Sequence, residues 1–453
     1  MISRIMFINA VNATKEIETS LPHLGLGYLA SSLRREFGPD RFEFRVVDRD
    51  IERQIAVFRP DLVGITSVSQ NYNKAIEYAR VAKRWSLPVI MGGVHISALP
   101  TTLSAHMDVG VLGEGERTII DLVTVLDREG SFETPSLANI DGVVFRRQGQ
   151  IITTQERSPI EPLDSLAVPA RDLAPIEKFA HMFTSRGCPY RCRFCASSRF
   201  WGKVRFFSAE YVVREIKDLV RTHKVTRISF WDDLFVANRA RLRQIIALLE
   251  REGLLGRVEF TCNVRSNLVT DELALLLKAM HVRSVAMGLE SGCPTTLEYL
   301  KGRDISLEDH ENAVDVLHRH RIKFRASFVI GSPQETREDI LQTLSFIRRK
   351  QLKSFDIYVL TPYPGTPVWD YAKARGLVSE DMNWERLNIY FGMNHEDAVI
   401  LSEKLTREEI YELFLQLTET KRRALLLRTL RDPKSLPRLL LRVLSGQPLV
   451  TKS

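Results

Sequence analysis

The first 128 residues alternate short apolar runs with helix-patterned stretches: RIMFINAV, then LGLGYLASSLRREF, FEFRVVD, IERQIAVF, LVGITS, a helix around Asn73 to Trp85, PVIMGG and VGVLGEGE. The apolar runs lack polar alternation, the mark of strands covered on both faces, so the pattern predicts a parallel, doubly wound sheet flanked by helices. Such sheets bind ligands at the carboxyl ends of their strands. Those ends carry glycines and polar residues here: Ser67, Ser69, Gln70 and Asn71 after LVGITS, Gly92 and Gly93 after PVIM, and Gly113 to Glu116 after VGVL.

From about residue 129 the pattern breaks into a polar, proline-containing stretch with room for one hairpin. The boundaries are drawn as 1–140 for the first domain and 141–175 for a linker packed on its neighbours. A second βα series then runs FTSRGC, RISFWDD, VEFTCNVR, VRSVAMGLE, KFRASFVIGSP and SFDIYVLTPYPGT, each but the last followed by a helical pattern. Six parallel strands predict an incomplete α/β barrel over 176–375, its strand ends gathered round one mouth. Residues 376–453 are expected to be helical and basic. DPKSLPRLLLRVLSG has the pattern of an amphipathic basic helix, read as a C-terminal cap with a solvated face, with docking on a membrane surface or a partner as the alternative.

Length agrees with two or three domains in 453 residues. There is no uncharged apolar stretch of about 18 residues, and MISRIMFINAVNA lacks the pattern of a secretory signal, so the expectation is a cytoplasmic protein. The net charge of +8 is concentrated at the end: from Lys421 onward nine Lys or Arg face one acid, Asp432. The rest of the chain is near neutral, which argues against nucleic-acid binding.

Cysteine usage changes the picture most. Five cysteines cannot make a disulfide framework in so long a chain, and three of them crowd into Cys188-Pro-Tyr-Arg-Cys192-Arg-Phe-Cys195. Three thiolates at that spacing can hold three irons of a cubane and leave the fourth open to a small chelating molecule. A zinc site completed by His181 or another residue is the alternative. Cys262 and Cys293 read as buried small apolar residues.

With Phe194 before its last cysteine, CxxxCxxC resembles the signature of the radical S-adenosylmethionine (SAM) superfamily, and downstream segments in the expected order strengthen the likeness. The resemblance implies a 4Fe-4S cluster on Cys188, Cys192 and Cys195, SAM as cofactor, an external electron donor such as a flavodoxin, ferredoxin or reductase, and a small-molecule substrate. Asp232 and Asp233 of RISFWDD match the strand end that holds the SAM amino group, with helix capping as the structural alternative. GLES makes Glu290 the ribose candidate and Ser291 its polar neighbour. Arg265 is a candidate for the SAM carboxylate or an ordinary barrel salt bridge. FVIGSPQET places Ile330 at the adenine and Gly331 where the backbone must approach closely; GSPQET departs from the usual GLPGET-like sequence and so leaves the loop's details open. TPYPGTP, residues 361–367, would face substrate or form a simple turn.

The N-terminal region resembles the cobalamin-binding domain found ahead of many such barrels, through PHLGLGYLA, DLVGITSVSQNY, VIMGGVHISALP and VGVLGEGE. The implied fold is α/β, a Rossmann-like cobalamin-binding-type domain followed by a partial (β/α)6 TIM-like barrel and a helical tail. Cobalamin contacts would come from Ser67, Gln70, Gly92, Gly93, Gly113 and Glu114. No DxHxxG occurs, so His95 and His23 read as polar loop residues and not as cobalt ligands. With cobalamin bound, the implied reaction is methylation of an unactivated carbon, one SAM methylating cobalt and another supplying the radical. Without it, radical redox or elimination chemistry such as sugar-diol dehydration in antibiotic biosynthesis follows, and a non-catalytic zinc or cobalamin module is the remaining reading.

Overall fold

The N-terminal apolar runs pair as the pattern requires. A computed structural model of the chain describes residues 2–11 and 23–430. Its first sheet contains β1 (Arg4–Asn9), β2 (Glu43–Val47), β3 (Leu62–Thr66), β4 (Val89–Gly92), β5 (Val109–Val111), β6 (Val143–Arg147) and β7 (Gln150–Thr153), in the order β2-β1-β3-β4-β5-β6-β7. The first five strands are parallel. Every residue of β3 is buried, as helices on both faces demand. The strand order reverses between β1 and β3, the crevice where such sheets take ligands.

The hairpin expected within the linker belongs to this sheet instead. β6 pairs antiparallel with β5, and Val143, Val144 and Phe145 are buried there. That pairing covers the exposed edge β5 would otherwise present. The rest of the linker is packed, as expected: Ile160, Leu163 and Leu166 enter the barrel's core, and Arg34 pairs with Asp172 at 2.7 Å.

The second sheet is made of β8 (Phe179–Met182), β11 (Arg227–Phe230), β12 (Glu259–Val264), β13 (Val282–Glu290), β14 (Lys323–Ile330) and β15 (Phe355–Val359), all parallel and in chain order. It is a barrel left open between β8 and β15. Two short strands, β9 (Ser185–Arg186) and β10 (Arg205–Phe206), form a separate antiparallel ladder across the cysteine loop. The first barrel strand therefore lies earlier than FTSRGC. Asp232 takes hydrogen bonds from Thr184 and Ser185 and ends the strand, and Gly187 then adopts a left-handed φ of 88° with a would-be Cβ only 2.7 Å from Lys203 O.

Barrel strands carry large apolar groups outward, toward the helices, among them Ile228, Phe260, Met287 and Phe328. Their inward positions hold Ser229, Thr261, Asn263, Ala286 and Ser327, with Thr261 Oγ1 donating to Ser229 Oγ at 2.9 Å. Closed barrels fill this space with branched side chains; here small ones share it with Arg325 and Asp356, which lie level with Ala286 and Ser327. Beyond the barrel, the helix Arg407–Leu430 packs along β15, where Lys421 Nζ meets Asp356 at 2.5 Å. The segment DPKSLPRLLLRVLSG lies outside the described residues. Among the described residues no helix is long and apolar enough to cross a membrane.

A buried ionic network joins the two sheets. Arg186, on β9, pairs with both Glu114 and Glu116 from the end of β5, and Arg205 on β10 reaches Glu114 at 2.8 Å. Burial pushes the Glu114 carboxyl up, but the Arg205 hydrogen bond and the Arg186 charge more than offset it, and the net direction is downward. Its stabilisation is therefore present above the ordinary carboxylate range and lost as pH falls through the lower folded value. Replacing Arg186 with Met leaves the buried Glu116 carboxylate without its cation and Glu114 with Arg205 alone, so chemical unfolding should show a loss of about 3–5 kcal/mol; an unchanged unfolding midpoint would mean that water reaches the junction.

Candidate active site

The cysteine loop lies between β9 and β10, and Cys188, Cys192 and Cys195 are free thiols, each partly buried. The loop is pinned from several sides. Arg193 N–H donates to Leu300 O at 2.8 Å, Cys195 N–H to Cys192 O at 3.2 Å, and the Arg191 guanidinium to Ser198 O and Gly202 O. Phe194 turns into an apolar cluster that includes Tyr299. Burial pushes the Cys188 thiol up to about 11, and burial with the nearby Asp233 charge raises Cys195 also. Both would surrender protons to bound iron, which makes assembly easier at higher pH. Arg265 Nη1 lies 3.5 Å from Cys192 Sγ. Among the described residues no three His, Cys, Asp or Glu side chains are gathered closely enough for a single metal ion. His181, one candidate fourth ligand of the zinc alternative, lies tilted against Trp231 with centroids 4.4 Å apart and lines a different cavity. The donor set fits a multi-iron cluster.

The two aspartates have opposite surroundings. Asp232 is fully buried and accepts from Thr184 N at 2.6 Å, from Thr184 Oγ1 and from Ser185 Oγ at 2.7 Å, so its oxygens are committed to the backbone that leads into the cysteine loop. Asp233 faces the loop itself: Ser197 Oγ donates to it at 2.7 Å, and its charge is felt at Cys188 and Cys195. Of the two, only Asp233 turns its carboxylate toward the cysteine loop.

Glu290 ends β13 with a left-handed φ of 64° and folds its carboxylate back over Gly288, where a Cβ would lie 2.1 Å from Oε1. Lys301 donates to Gly288 O at 2.6 Å and stands 3.4 Å from Glu290 Oε1. Burial raises the Glu290 carboxyl while Lys301 opposes the rise. Lys301 was not singled out from the sequence; a lysine at a helix end is normally a solvated one. Arg265 stacks on Tyr190 at 3.7 Å and pairs with Asp304 at 3.0 Å, so it is both a barrel salt bridge and a cation beside the loop.

Several expected contacts lie elsewhere. Ser291 turns away from the mouth and pairs with Thr343 Oγ1 at 3.2 Å. Ile330 is fully buried in the layer between strands and helices, while Gly331 has the left-handed φ of 83° that a side chain would resist. Glu335 closes the altered GSPQET loop by accepting from Gly331 N at 2.6 Å and Ser332 N at 3.0 Å, and burial pushes it up to about 7. The TPYPGTP turn is occupied by a domain contact instead of facing substrate: Tyr363 donates to Gln70 Oε1 at 3.1 Å, and Gly365 approaches Ala98.

A cavity of about 370 Å³ separates the strand ends of the first sheet from the barrel mouth. Asn9 to Val11 after β1 and Thr66 to Val68 after β3 line it, together with Gly92, Gly93, Gly113 and Glu114. It occupies the topological switch. Gly93 has no room for a side chain, since a Cβ would lie 2.7 Å from Ser67 O. Gln70 points instead to the second domain, and His95 is buried between Ser69 Oγ and Thr102 Oγ1, each at 3.1 Å. His23 caps a helix while lining the cavity, and burial lowers it to about 4. The opposite wall is aromatic: Phe183, Phe200, Trp201 and Trp231. Val68, Val94 and Trp231 remain exposed for residues of their kind. Such walls suit a large flat ring system, and cobalamin fits this description. The aromatic wall was missed from the sequence; SRFW after the last cysteine and FWDD after β11 were its signals.

Comparison with known proteins agrees with this geometry. The profile of the Radical SAM superfamily matches residues 182–347, and that of the B12 binding domain residues 12–123. An uncharacterized methyltransferase of Pyrococcus horikoshii is 32% identical over 413 residues, covering 88% of this chain and 87% of that protein. The anaerobic magnesium-protoporphyrin IX monomethyl ester cyclase of Rubrivivax gelatinosus is 25% identical over 430 residues, covering 89% and 76%. Among solved structures, the radical SAM methyltransferase TsrM of Kitasatospora setae, with cobalamin and a [4Fe-4S] cluster bound, shares the fold with a TM-score of 0.68 at 20% identity, over 83% of this chain and 76% of that one.

The two aspartates separate by experiment. Asp232→Ala leaves three buried donors unpaired and should cost about 3 kcal/mol or more in unfolding measurements. Asp233→Ala should keep its fold and its iron but need more SAM for half-maximal cleavage; loss of iron with unfolding would assign Asp233 a structural role.

Proposed function

Because the chain belongs to the radical SAM superfamily, in the branch that carries an N-terminal B12 binding domain, we propose that it methylates an unactivated carbon of a small-molecule substrate. The observation that carries this reading is the cavity between the two sheets, walled on one side by the β1, β3, β4 and β5 ends and on the other by the barrel mouth that also bears the cysteine loop. When bound, the cluster, SAM and cobalamin supply reductive cleavage of a sulfonium and a carrier for the methyl group.

The chain's own residues then bind, orient and exclude water. Cys188, Cys192 and Cys195 would hold the cluster, which would supply the electron for SAM cleavage. Asp233 receives the SAM ammonium, and Arg265 offers its cation to the carboxylate. Glu290, held by Lys301, accepts from the ribose hydroxyls, and Gly331 admits the adenine against bare backbone. Ser67, Gly92, Gly93 and Gly113 form the floor for the corrin, while Phe200, Trp201 and Trp231 cover it and keep water from the reacting carbon. Free thiols throughout the chain suit a reducing compartment, the cytoplasm. A second reading, radical-driven oxidation, is favoured by the Rubrivivax relative, which is a cyclase.

Anaerobic purification with hydroxocobalamin should give protein with corrin absorbance and about four irons and four sulfides per chain, and methyl-labelled SAM should place label in the product. One zinc in place of iron, or no corrin, would overturn the reading. Changing any one of Cys188, Cys192 or Cys195 to Ala should abolish 5′-deoxyadenosine formation from SAM; full retention would remove the cluster from the mechanism.

A further inference from the structure

The interior of the barrel is a space that neither the cysteine loop nor the cavity under the first sheet accounts for. Side chains two apart on a strand share a face, so the pairing sets out the inner wall in levels. Asn263, Ala286 and Arg325 lie at one level, Gly288, Ser327 and Asp356 at the next toward the mouth, and Tyr358 above them beside Val329. A filled barrel buries such positions. Here Ala286 is exposed although it stands on a central strand, and the Arg325 side chain is 50% exposed. The lumen is therefore open at the level of Arg325. Its charge is gathered on the β14 and β15 side. Arg325 stands 3.8 Å from Asp356, beyond hydrogen-bond reach, while Lys421 of the helix Arg407–Leu430 meets the same carboxylate at 2.5 Å. Among the described residues, two cations thus share one carboxylate here, a surplus of one positive charge, and Arg325 brings five N–H donors to it. Glu290, the acid nearer the mouth, has Lys301 beside it and does not cancel the surplus. Burial pushes the Tyr358 hydroxyl up to about 12, and the charges it feels include Asp356, Tyr390, Arg325 and Glu290. Tyr358 is thus a standing donor between the cations and the mouth.

We propose, resting on the methyl-transfer reading above, that the substrate is a carboxylic acid whose carboxylate is held inside the barrel by Arg325, with Lys421 and the Tyr358 hydroxyl beside it. A guanidinium fork matches a carboxylate, and the bond is stronger in a lumen partly screened from water. One surplus positive charge balances a carboxylate, whereas a phosphate monoester carries about two negative charges. Three residues of strand, about 10 Å, separate Arg325 from the level of Glu290. The acid group is thereby anchored deep, and the carbon that reacts is held nearer the mouth than its carboxylate. Asp356 competes with the substrate for the same two cations, and so sets how tightly the acid is held.

The test measures binding of phenylpropionate to the anaerobic, cluster- and cobalamin-loaded enzyme by ligand-observed NMR, with phenylpropanol and phenyl phosphate as its neutral and doubly charged counterparts. The parent should bind the acid about tenfold more tightly than the alcohol. Arg325→Gln should remove that preference and leave the alcohol unchanged, and Arg325→Lys should restore part of it. Asp356→Asn, which takes away the competing carboxylate, should tighten the acid; a merely structural ion cluster predicts no gain there. Absence of saturable binding of the acid, equal binding of acid and alcohol, a preference for phenyl phosphate, or an unchanged preference in Arg325→Gln overturns the proposal. Should Arg325→Gln fail to fold, Arg325→Lys and Asp356→Asn carry the comparison, and parental affinities in both overturn it equally. A parent chain that takes up neither iron nor corrin defeats the methyl-transfer reading, and this proposal with it; a loaded chain that binds acid and alcohol alike defeats only the substrate class.

Discussion

Two sheets that each stop at a ligand-binding edge are of use here only if those edges face one another at a fixed separation. Arg186 imposes that condition. It reaches from the strand before the cysteine loop to Glu114 and Glu116 at the end of β5, and its guanidinium also lies over the Tyr28 and Trp201 rings at 5.4 and 5.1 Å. Taking four charged groups out of water is expensive, and apolar substitutes would join the domains at less cost. What apolar packing lacks is direction. The paired arginines and glutamates accept one relative placement, and that placement sets both the height of the cavity and the start of the loop bearing the thiols.

The same economy governs the barrel mouth. Asp232 spends its carboxylate on Thr184 and Ser185, while Asp233, one residue on, is left facing the loop. Lys301 and Glu290 form a second buried pair, and the carbonyl just before Lys301 anchors Arg193 of the loop. The site is thus built as two tiers, an outer tier of groups able to meet ligands and an inner one that keeps the outer from moving.

Much of this was legible beforehand, and the misses have physical causes. Strands buried on both faces announce themselves as unbroken apolar runs, so β1, β3 and β4 stood out, and all but the first barrel strand followed from the repeating order of strand and helix. That strand was displaced because its termination depends on a hydrogen bond from Thr184 to Asp232, a contact 48 residues away in sequence that no local pattern carries. The hairpin β6 and β7 looked like linker because Arg146 and Arg147 follow the buried Val143 to Phe145, and its membership in a sheet is decided by the partner strand β5. The cysteine triplet needed no tertiary information, since its chemistry is in the spacing. Whether Asp232 or Asp233 is open, or Ser291 turned aside, is decided by neighbours from other strands.

The gap between β8 and β15 bears on how such an enzyme diversifies. With Ser229, Thr261, Asn263, Ala286 and Ser327 among the inward positions, and with no seventh strand between β8 and β15, the wall beside β15 is built from side chains and the helix Arg407–Leu430 instead of a further strand. A wall of that kind can change residue by residue without disturbing a strand register or the cysteine loop.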